Sequence, residues 1–137
     1  MANNLRLEDD HYCFGCGSLN VSGLKLIFKV NKENKTLSSE FTPQKIYQGY
    51  KDMVHGGIIG LILDECMVNL VLKLGVPAVS AEYTVRLKRP AIVGKKLIFS
   101  AKIAEETKSR LVIVESECRD EDGIVIASAS SKCVKIS

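Results

Sequence analysis

One long apolar segment, from Ile58 to Leu74, constrains the fold more than any other part of the sequence. Its length suits a single helix, and Gly75 with Pro77 ends it. Four polar residues interrupt it, so it is too polar to span a membrane: Asp64, Glu65, Asn69 and Lys73. The segment therefore predicts one helix that packs inside a globular domain.

Strands are predicted on both sides of this helix. Two precede it, Leu24 to Val30 and Thr36 to Phe41. Four follow it as a meander: Val79 to Lys88, Leu97 to Ile103, Leu111 to Arg119 and Ile124 to Ile136. Residues 1–22 are expected to form an irregular lead-in, and the 137 residues a single domain. One helix against a long antiparallel sheet is an α+β arrangement in which the sheet can wrap the helix.

Charge and composition exclude several classes of partner. The 19 Lys and Arg are scattered among 16 Asp and Glu, without the block of like charge that marks a nucleic-acid-binding arm. The net charge of +3 is compatible with an anionic small ligand. The first ten residues are polar, and the five cysteines are an odd number. We therefore expect a cytoplasmic protein with neither a secretory leader nor a membrane anchor.

Asp64 is a carboxylate on an apolar side of the predicted helix. A separate stripe at spacing i, i+4, i+8, which we interpret as the solvent-exposed or interfacial side, contains Glu65, Asn69 and Lys73. The neighbours of Asp64 at three and four positions are instead mostly apolar: Gly60, Leu61, Met67 and Val68. Desolvation would raise the pKa of Asp64 and make it a stronger base. A satisfied polar residue at the edge of the core is the alternative, and spacing alone does not separate the two.

The segment His55-Gly56-Gly57 precedes the helix. Two glycines allow a ligand to approach the backbone closely, and the Gly57 amide at the positive end of the helix dipole is a candidate oxyanion donor. A tight turn capped by His55 is the alternative for so short a motif. The combination with a carboxylate about two turns along the helix favours the interpretation of this segment as a donor site.

These residues resemble a known signature. His55-Gly56-Gly57, followed by Asp64 nine positions after the histidine, resembles the active-site motif of the PaaI-type hotdog thioesterases. The resemblance extends from Cys13 to the C-terminus and covers further matching positions: Phe14, Gly15, Cys16, Gly17, Asn20, Gly23, Leu24, Lys88, Arg89, Pro90 and Gly94. The chain is most similar to the branch that includes mammalian mitochondrial acyl-CoA thioesterases.

The resemblance implies a fold and a reaction. The fold would be the hotdog, an antiparallel sheet wrapped around one long central helix, assembled as a dimer or a dimer of dimers. The reaction would be hydrolysis of acyl-CoA thioesters, or of acyl-carrier-protein thioesters. No cofactor is implied, since coenzyme A is part of the substrate.

The resemblance also implies roles for site residues. Asp64 would be the general base or the nucleophile, and Ser80 would position the attacking water. His55 and the Gly57 amide would bind and polarise the thioester carbonyl. Sites of the family are shared between subunits, so Asp64 and Ser80 would face the histidine and glycine of the partner chain.

One position departs from the family pattern. Many members have an asparagine six residues before the histidine, where this chain has Gly49. The similar branch also lacks that asparagine, so the difference indicates a subclass. It argues against assigning an aryl-CoA substrate in particular, and the acyl group is left open.

Three residues are candidates for binding the rest of the substrate. Lys88 and Arg89 end the strand that carries Ser80 and could contact the phosphates of coenzyme A, although a solvated strand end has the same pattern. Gly56 would allow the ligand to approach the helix. Strict alternation places Ser80 on the polar face of this strand, opposite Val85.

Cys13 and Cys16 have the spacing of half a zinc site. No second pair of cysteines with this spacing follows. His11 could be a third ligand, but a structural zinc site usually has four, and the sequence offers no fourth. We therefore predict reduced structural thiols and no metal. A redox role is also disfavoured, because the pair precedes a strand and not a helix.

Two other functions are compatible with a hotdog fold. One is a non-catalytic acyl-CoA-binding module, against which the complete His55 motif and Asp64 argue. The other is a hydratase acting on enoyl-CoA, which would use an Asp and His pair in a different loop, whereas the only histidines here are His11 and His55.

Overall fold

The fold consists of one long helix and a six-stranded sheet, described by a computed structural model for residues 6–136. The strands before the helix are β1 (Lys29–Asn31) and β2 (Thr36–Phe41), followed by a 3-10 turn (Lys45–Tyr47). The helix is α1 (Gly56–Lys73). Four strands follow it: β3 (Ala78–Leu87), β4 (Leu97–Glu106), β5 (Leu111–Asp120) and β6 (Val125–Lys135). The predicted α+β arrangement is confirmed.

The sheet is antiparallel throughout, in the order β1-β2-β4-β5-β6-β3. The predicted meander of four strands is therefore right for β4 to β6 and wrong for β3, which pairs with β6 and not with β4. The helix explains the difference. Its 18 residues span about 27 Å, enough to carry the chain across the sheet to its far edge.

The core lies between α1 and one face of the sheet. Alternate residues of the strands are buried, including Leu37 of β2, Phe99 of β4 and Val114 of β5. They meet a helix that is buried along most of its length, with Ile62 and Leu63 fully covered. Each such side chain contributes about 1.5–3 kcal/mol through removal from water. This packing fixes the position of α1 on the sheet. It thereby fixes the helix residues outside the core, including Asp64 and Glu65.

The segment before β2 differs from the prediction. Of the expected strand Leu24 to Val30, only Lys29 and Val30 belong to β1, which pairs with β2. The Leu24 and Leu26 amides donate instead to the carbonyls of Phe14 and Gly15. Residues 6–22 contain no helix or strand, and residues 1–5 of the predicted lead-in lie outside the described part. The lead-in thus takes the backbone partners that a longer strand would have used.

A membrane-spanning helix is not found in residues 6–136: none is both long and apolar enough.

Candidate active site

Asp64 and Ser80 form a hydrogen-bonded pair between α1 and β3. The Ser80 hydroxyl donates to Asp64 Oδ1 at 2.6 Å. Both residues are partly buried in the single chain. A carboxylate held at this distance by one hydroxyl keeps lone pairs for a further donor, such as a water molecule. The two residues that the sequence placed in one site are therefore adjacent.

Burial sets the acidity of Asp64. Desolvation raises the pKa of its carboxyl above the ordinary value, and the hydrogen bond from Ser80 opposes this by favouring the ionised form. A raised pKa makes the carboxylate a stronger base. The predicted direction of the pKa shift therefore agrees with the structure.

A β-bulge turns Ser80 toward the helix. Ser80 pairs with Cys133 and Glu82 with Lys132, so Ala81 is an extra residue in β3. The bulge reverses the alternation: Ser80 lies on the same side of the strand as Val85, which packs against Gly60 of the helix. The prediction that Ser80 faces away from Val85 is wrong, because strict alternation holds only without an inserted residue.

His55 caps the N-terminus of α1. Its Nδ1 accepts a hydrogen bond from the Gly57 amide at 2.9 Å. In a neutral imidazole the proton is then on Nε2, which becomes a donor. The capping turn that was the alternative interpretation of this motif is present. The Gly57 amide is engaged by His55 in the single chain, so it can serve an oxyanion only by exchanging this acceptor.

A cleft of about 620 Å³ adjoins the helix N-terminus. Four of the predicted residues line it: His55, Gly56, Lys88 and Arg89. Gly49 and the strongly exposed Tyr50, which sequence reasoning did not assign to the site, line it as well. A larger cavity of about 690 Å³ lies over residues of β2 to β6, and none of the predicted site residues lines it. The smaller cleft is thus the one that contains predicted site residues.

The predicted site residues fall into two groups within the chain. His55 and Gly57 lie at the start of α1, whereas Asp64 lies nine residues after His55. At 1.5 Å per residue this is about 13 Å along the helix axis, too far for both groups to contact one carbonyl. Asp64 and Ser80 do not line the cleft that contains His55.

Glu65 and Asn69 form a second polar pair on α1, and the lead-in contacts it at Glu65. Asn69 is 9% exposed, and its Nδ2 donates to Glu65 Oε2 at 3.0 Å. Cys13 Sγ lies 3.4 Å from Glu65 Oε1. The prediction that Glu65, Asn69 and Lys73 form an exposed or interfacial side is wrong for Asn69, which is buried. Glu65 is partly covered by the lead-in, and Lys73 is exposed.

Cys13, Cys16 and Glu65 are the described residues that could hold a metal ion. Glu65 belongs to α1, and sequence proximity gave no signal for it. His11, the third ligand considered from the sequence, is not in this group; its Nδ1 lies 3.7 Å from Asp9 Oδ2. Burial, with the charge of Glu65, raises the pKa of the Cys16 thiol to about 12. Without a metal the Cys16 thiol is therefore a poor nucleophile.

Comparisons with known proteins identify the family and the fold. The model of the thioesterase superfamily matches residues 52–127, more than half of the chain. No match was found among curated proteins. Solved structures that match include a thioesterase superfamily protein with 22% identity and a TM-score of 0.84. The alignment covers 90% of this chain and 60% of that protein, so this chain spans less than two thirds of its length.

Two bacterial structures are also similar. The E. coli PaaI protein from the phenylacetic acid degradation operon has 17% identity and a TM-score of 0.75, covering 83% of this chain and 81% of that one. A hypothetical thioesterase of Streptococcus pneumoniae, solved with coenzyme A, has 12% identity and a TM-score of 0.74, covering 80% of this chain and 84% of that one. Alanine variants of the pneumococcal protein match too, one at an aspartate and one at a threonine 16 positions later. Asp64 and Ser80 have the same separation.

The family model, the long helix and the wrapped antiparallel sheet confirm the predicted family and fold. The chain belongs to the thioesterase superfamily and has the hotdog fold of the PaaI-type proteins.

Proposed function

We propose that the protein hydrolyses acyl-CoA thioesters to a free acid and a thiol. The observation that carries this proposal is the partly buried Asp64 carboxylate held by Ser80 at 2.6 Å. Membership in the thioesterase superfamily and the coenzyme A in the pneumococcal structure support it. An acyl-carrier-protein thioester presents the same bond and is a second possible substrate.

Asp64 acts on the attacking water in this proposal. The carboxylate removes a proton from the water while the Ser80 hydroxyl holds Asp64 and the water in place. In the alternative, Asp64 itself attacks the thioester, the thiolate leaves, and water then hydrolyses the resulting anhydride; this route uses the same two residues. Neither route needs a cofactor, because the nucleophile is water or carboxylate and coenzyme A leaves as the thiol.

His55 and Gly57 act on the thioester carbonyl. Nε2–H of His55 is a donor that the capping hydrogen bond leaves available, and the Gly57 amide is a second donor once the carbonyl oxygen replaces Nδ1 as its acceptor. Gly56 allows the thioester to approach this turn. The negative charge that develops on the oxygen is favoured by the positive end of the helix dipole.

Lys88 and Arg89 bind the coenzyme A phosphates in this proposal. They line the cleft next to His55, and the Tyr50 ring offers a surface for stacking. Two cations at the rim of an apolar cleft suit a ligand with an apolar acyl chain and an anionic carrier.

A homo-oligomer completes the site. The separation of about 13 Å between His55 and Asp64 supports a site to which one chain gives Asp64 and Ser80 and a second chain gives His55 and Gly57. β3 supports such an assembly, since it pairs with β6 on one side only and exposes Tyr83 and Leu87. An unpaired edge with apolar side chains tends to associate.

The proposed location is the cytoplasm. All five cysteines are free thiols, which fits a reducing compartment.

Thiol release from a panel of acyl-CoAs tests the proposed activity, with Asp64→Asn beside the wild type. Asparagine has nearly the same shape and can still accept the Ser80 hydrogen bond, so the fold is expected to persist while turnover falls about 100-fold or more. Glu33→Gln, which changes an exposed carboxylate in the turn between β1 and β2, is the control outside both proposed sites. Binding of acyl-CoA without release by the wild type would indicate the non-catalytic module instead.

A further inference from the structure

We propose that Cys13, Cys16 and Glu65 bind a zinc ion that joins the lead-in to helix α1. The two Sγ atoms and a carboxylate oxygen lie within 4.8 Å of one another. Glu65 follows Asp64 in sequence, but successive residues of a helix point about 100° apart, so the ion would lie on another side of α1. The inference goes beyond hydrolysis, in which no metal takes part.

The spacing of the ligand atoms fits a tetrahedral ion. Zinc–sulfur bonds of about 2.3 Å and zinc–oxygen bonds of about 2.0–2.2 Å place ligand atoms about 3.5–3.8 Å apart. Cys13 Sγ and Glu65 Oε1 are already 3.4 Å apart. The other separations need a contraction of about 1 Å at most, which small rotations of the side chains supply.

The backbone around the cysteines is folded tightly. The Gly17 amide donates to the Cys13 carbonyl at 2.8 Å, which closes a turn over the residues between the two thiols. A Cβ on Gly15 would collide with the Glu65 side chain, so a larger residue here would displace the carboxylate from its present position. Two cysteines at this spacing can chelate one ion.

The Glu65 carboxylate lacks a cationic partner. Among residues 6–136, no Lys, Arg or His nitrogen lies within 4.0 Å of it. Asn69 fixes one oxygen through its hydrogen bond, and the other oxygen faces Cys13. A partly buried carboxylate without a counter-charge is costly, and a divalent cation would supply that charge. The hydrogen bond from Asn69 would then orient the ligand.

Three protein ligands leave one tetrahedral position for water. Binding converts both thiols to thiolates and releases two protons for each ion bound. The ligands come from segments 52 positions apart in sequence, so the ion would hold the lead-in against the turn of α1 that carries Asp64. Zinc suits this mixed sulfur and oxygen set, and calcium or magnesium does not.

Cobalt and zinc titrations of the reduced, metal-free protein test this site. We expect one ion per chain, with the thiolate-to-cobalt absorption of a tetrahedral site, and a higher Tm in zinc. The double variant Cys13→Ser/Cys16→Ser is expected to lose the cobalt absorption and the rise in Tm. Glu65→Gln is expected to weaken zinc binding about tenfold or more. Cys118→Ala, which removes a buried thiol outside the cluster, leaves binding unchanged.

A second measurement needs no variant. Zinc is expected to protect Cys13 and Cys16 of the wild type from alkylation, as read by peptide mass spectrometry. The proposal is overturned if the wild type shows neither the cobalt absorption nor this protection, or if the double-serine variant binds zinc equally well. These readouts do not depend on thioester hydrolysis, so failure of either proposal is distinguishable from failure of the other.

Discussion

At the Asp64 carboxyl, two effects act in opposite directions. Partial burial favours the neutral acid, whereas the Ser80 hydroxyl favours the carboxylate. The balance leaves the pKa above that of an ordinary aspartate. A base is most effective when its pKa approaches the working pH while it stays ionised, so Ser80 tunes Asp64 as well as positioning it.

Removal of the Ser80 hydroxyl should shift the pH dependence of hydrolysis. In the proposed mechanism, activity requires ionised Asp64 and falls as the pH falls through the pKa of that carboxyl. Ser80→Ala removes the interaction that lowers this pKa, so the pKa rises further and the acid limb of kcat/KM moves to higher pH. The measurement is the pH profile of kcat/KM for the best substrate.

Ser80→Thr is the matched control, because it keeps a hydroxyl and should keep the acid limb near that of the wild type. An acid limb that stays in place in Ser80→Ala would show that another group controls this part of the profile.

The orientation of Ser80 also marks a limit of sequence reasoning. Alternation along β3 is a sound rule, and it predicted the wrong face because Ala81 is inserted as a bulge. No residue type at this position signals a bulge: it arises from the pairing with β6, which the local sequence does not contain. The proximity of Ser80 to Asp64 therefore came from the family resemblance and not from the alternation.

At the scale of elements, the start of α1 combines two roles of His55. The ring caps the helix through Nδ1 and leaves Nε2–H as a donor. The two roles use different ring atoms, so a substitution can keep one and remove the other.

His55→Asn should separate the cap from the donor. Asparagine is a good N-cap residue and keeps an acceptor for the helix amides, whereas His55→Ala loses the cap at a cost of about 1 kcal/mol. We expect both variants to lose about 100-fold in kcat, but only His55→Ala to lower the Tm. Thermal unfolding and steady-state kinetics on the same samples provide the comparison. Near-normal turnover by His55→Asn would assign His55 to the cap alone.

The elements differ in how far the sequence predicts them. Residues 58–74 gave the helix within two residues at its start, because length and terminators are local signals. The strand Leu24 to Val30 was mostly wrong, since the backbone of Leu24 and Leu26 bonds to the lead-in. The position of β3 was wrong as well, because which strand it pairs with depends on the whole sheet. The local sequence pattern thus predicts where helices and strands lie better than it predicts which strands pair with each other.

At the scale of the whole molecule, the proposed reaction requires a second chain to bring its two groups of site residues together. His55 at the helix start and Asp64 about 13 Å along it cannot contact one thioester. In a dimer with a twofold axis, Asp64 of each chain would lie opposite His55 of the other chain. The dimer would therefore have two equivalent sites.

Mixed oligomers should recover activity from two inactive chains. Asp64→Ala and His55→Ala, unfolded together and refolded as an equal mixture, form dimers in which one site has both residues intact. Random pairing makes half of the dimers mixed, with one working site of two, so the expected activity is about a quarter of the wild-type value. The measurement is thiol release by the refolded mixture.

Each variant refolded alone is the control for this experiment. A mixture no more active than the sum of the two controls would place the complete site within one chain, or the catalysis elsewhere.

The edge position of β3 also sets the order in which Asp64 and Ser80 come together during folding. Ser80 is held in place through β6, where it pairs with Cys133. A chain leaving the ribosome can form α1, with Asp64 on it, well before β6 has been synthesised. Such long-range pairing is slow because a large loop must close first. Asp64 therefore acquires its hydroxyl partner late in folding, and opening of β6 would remove it while much of the remaining sheet stays paired.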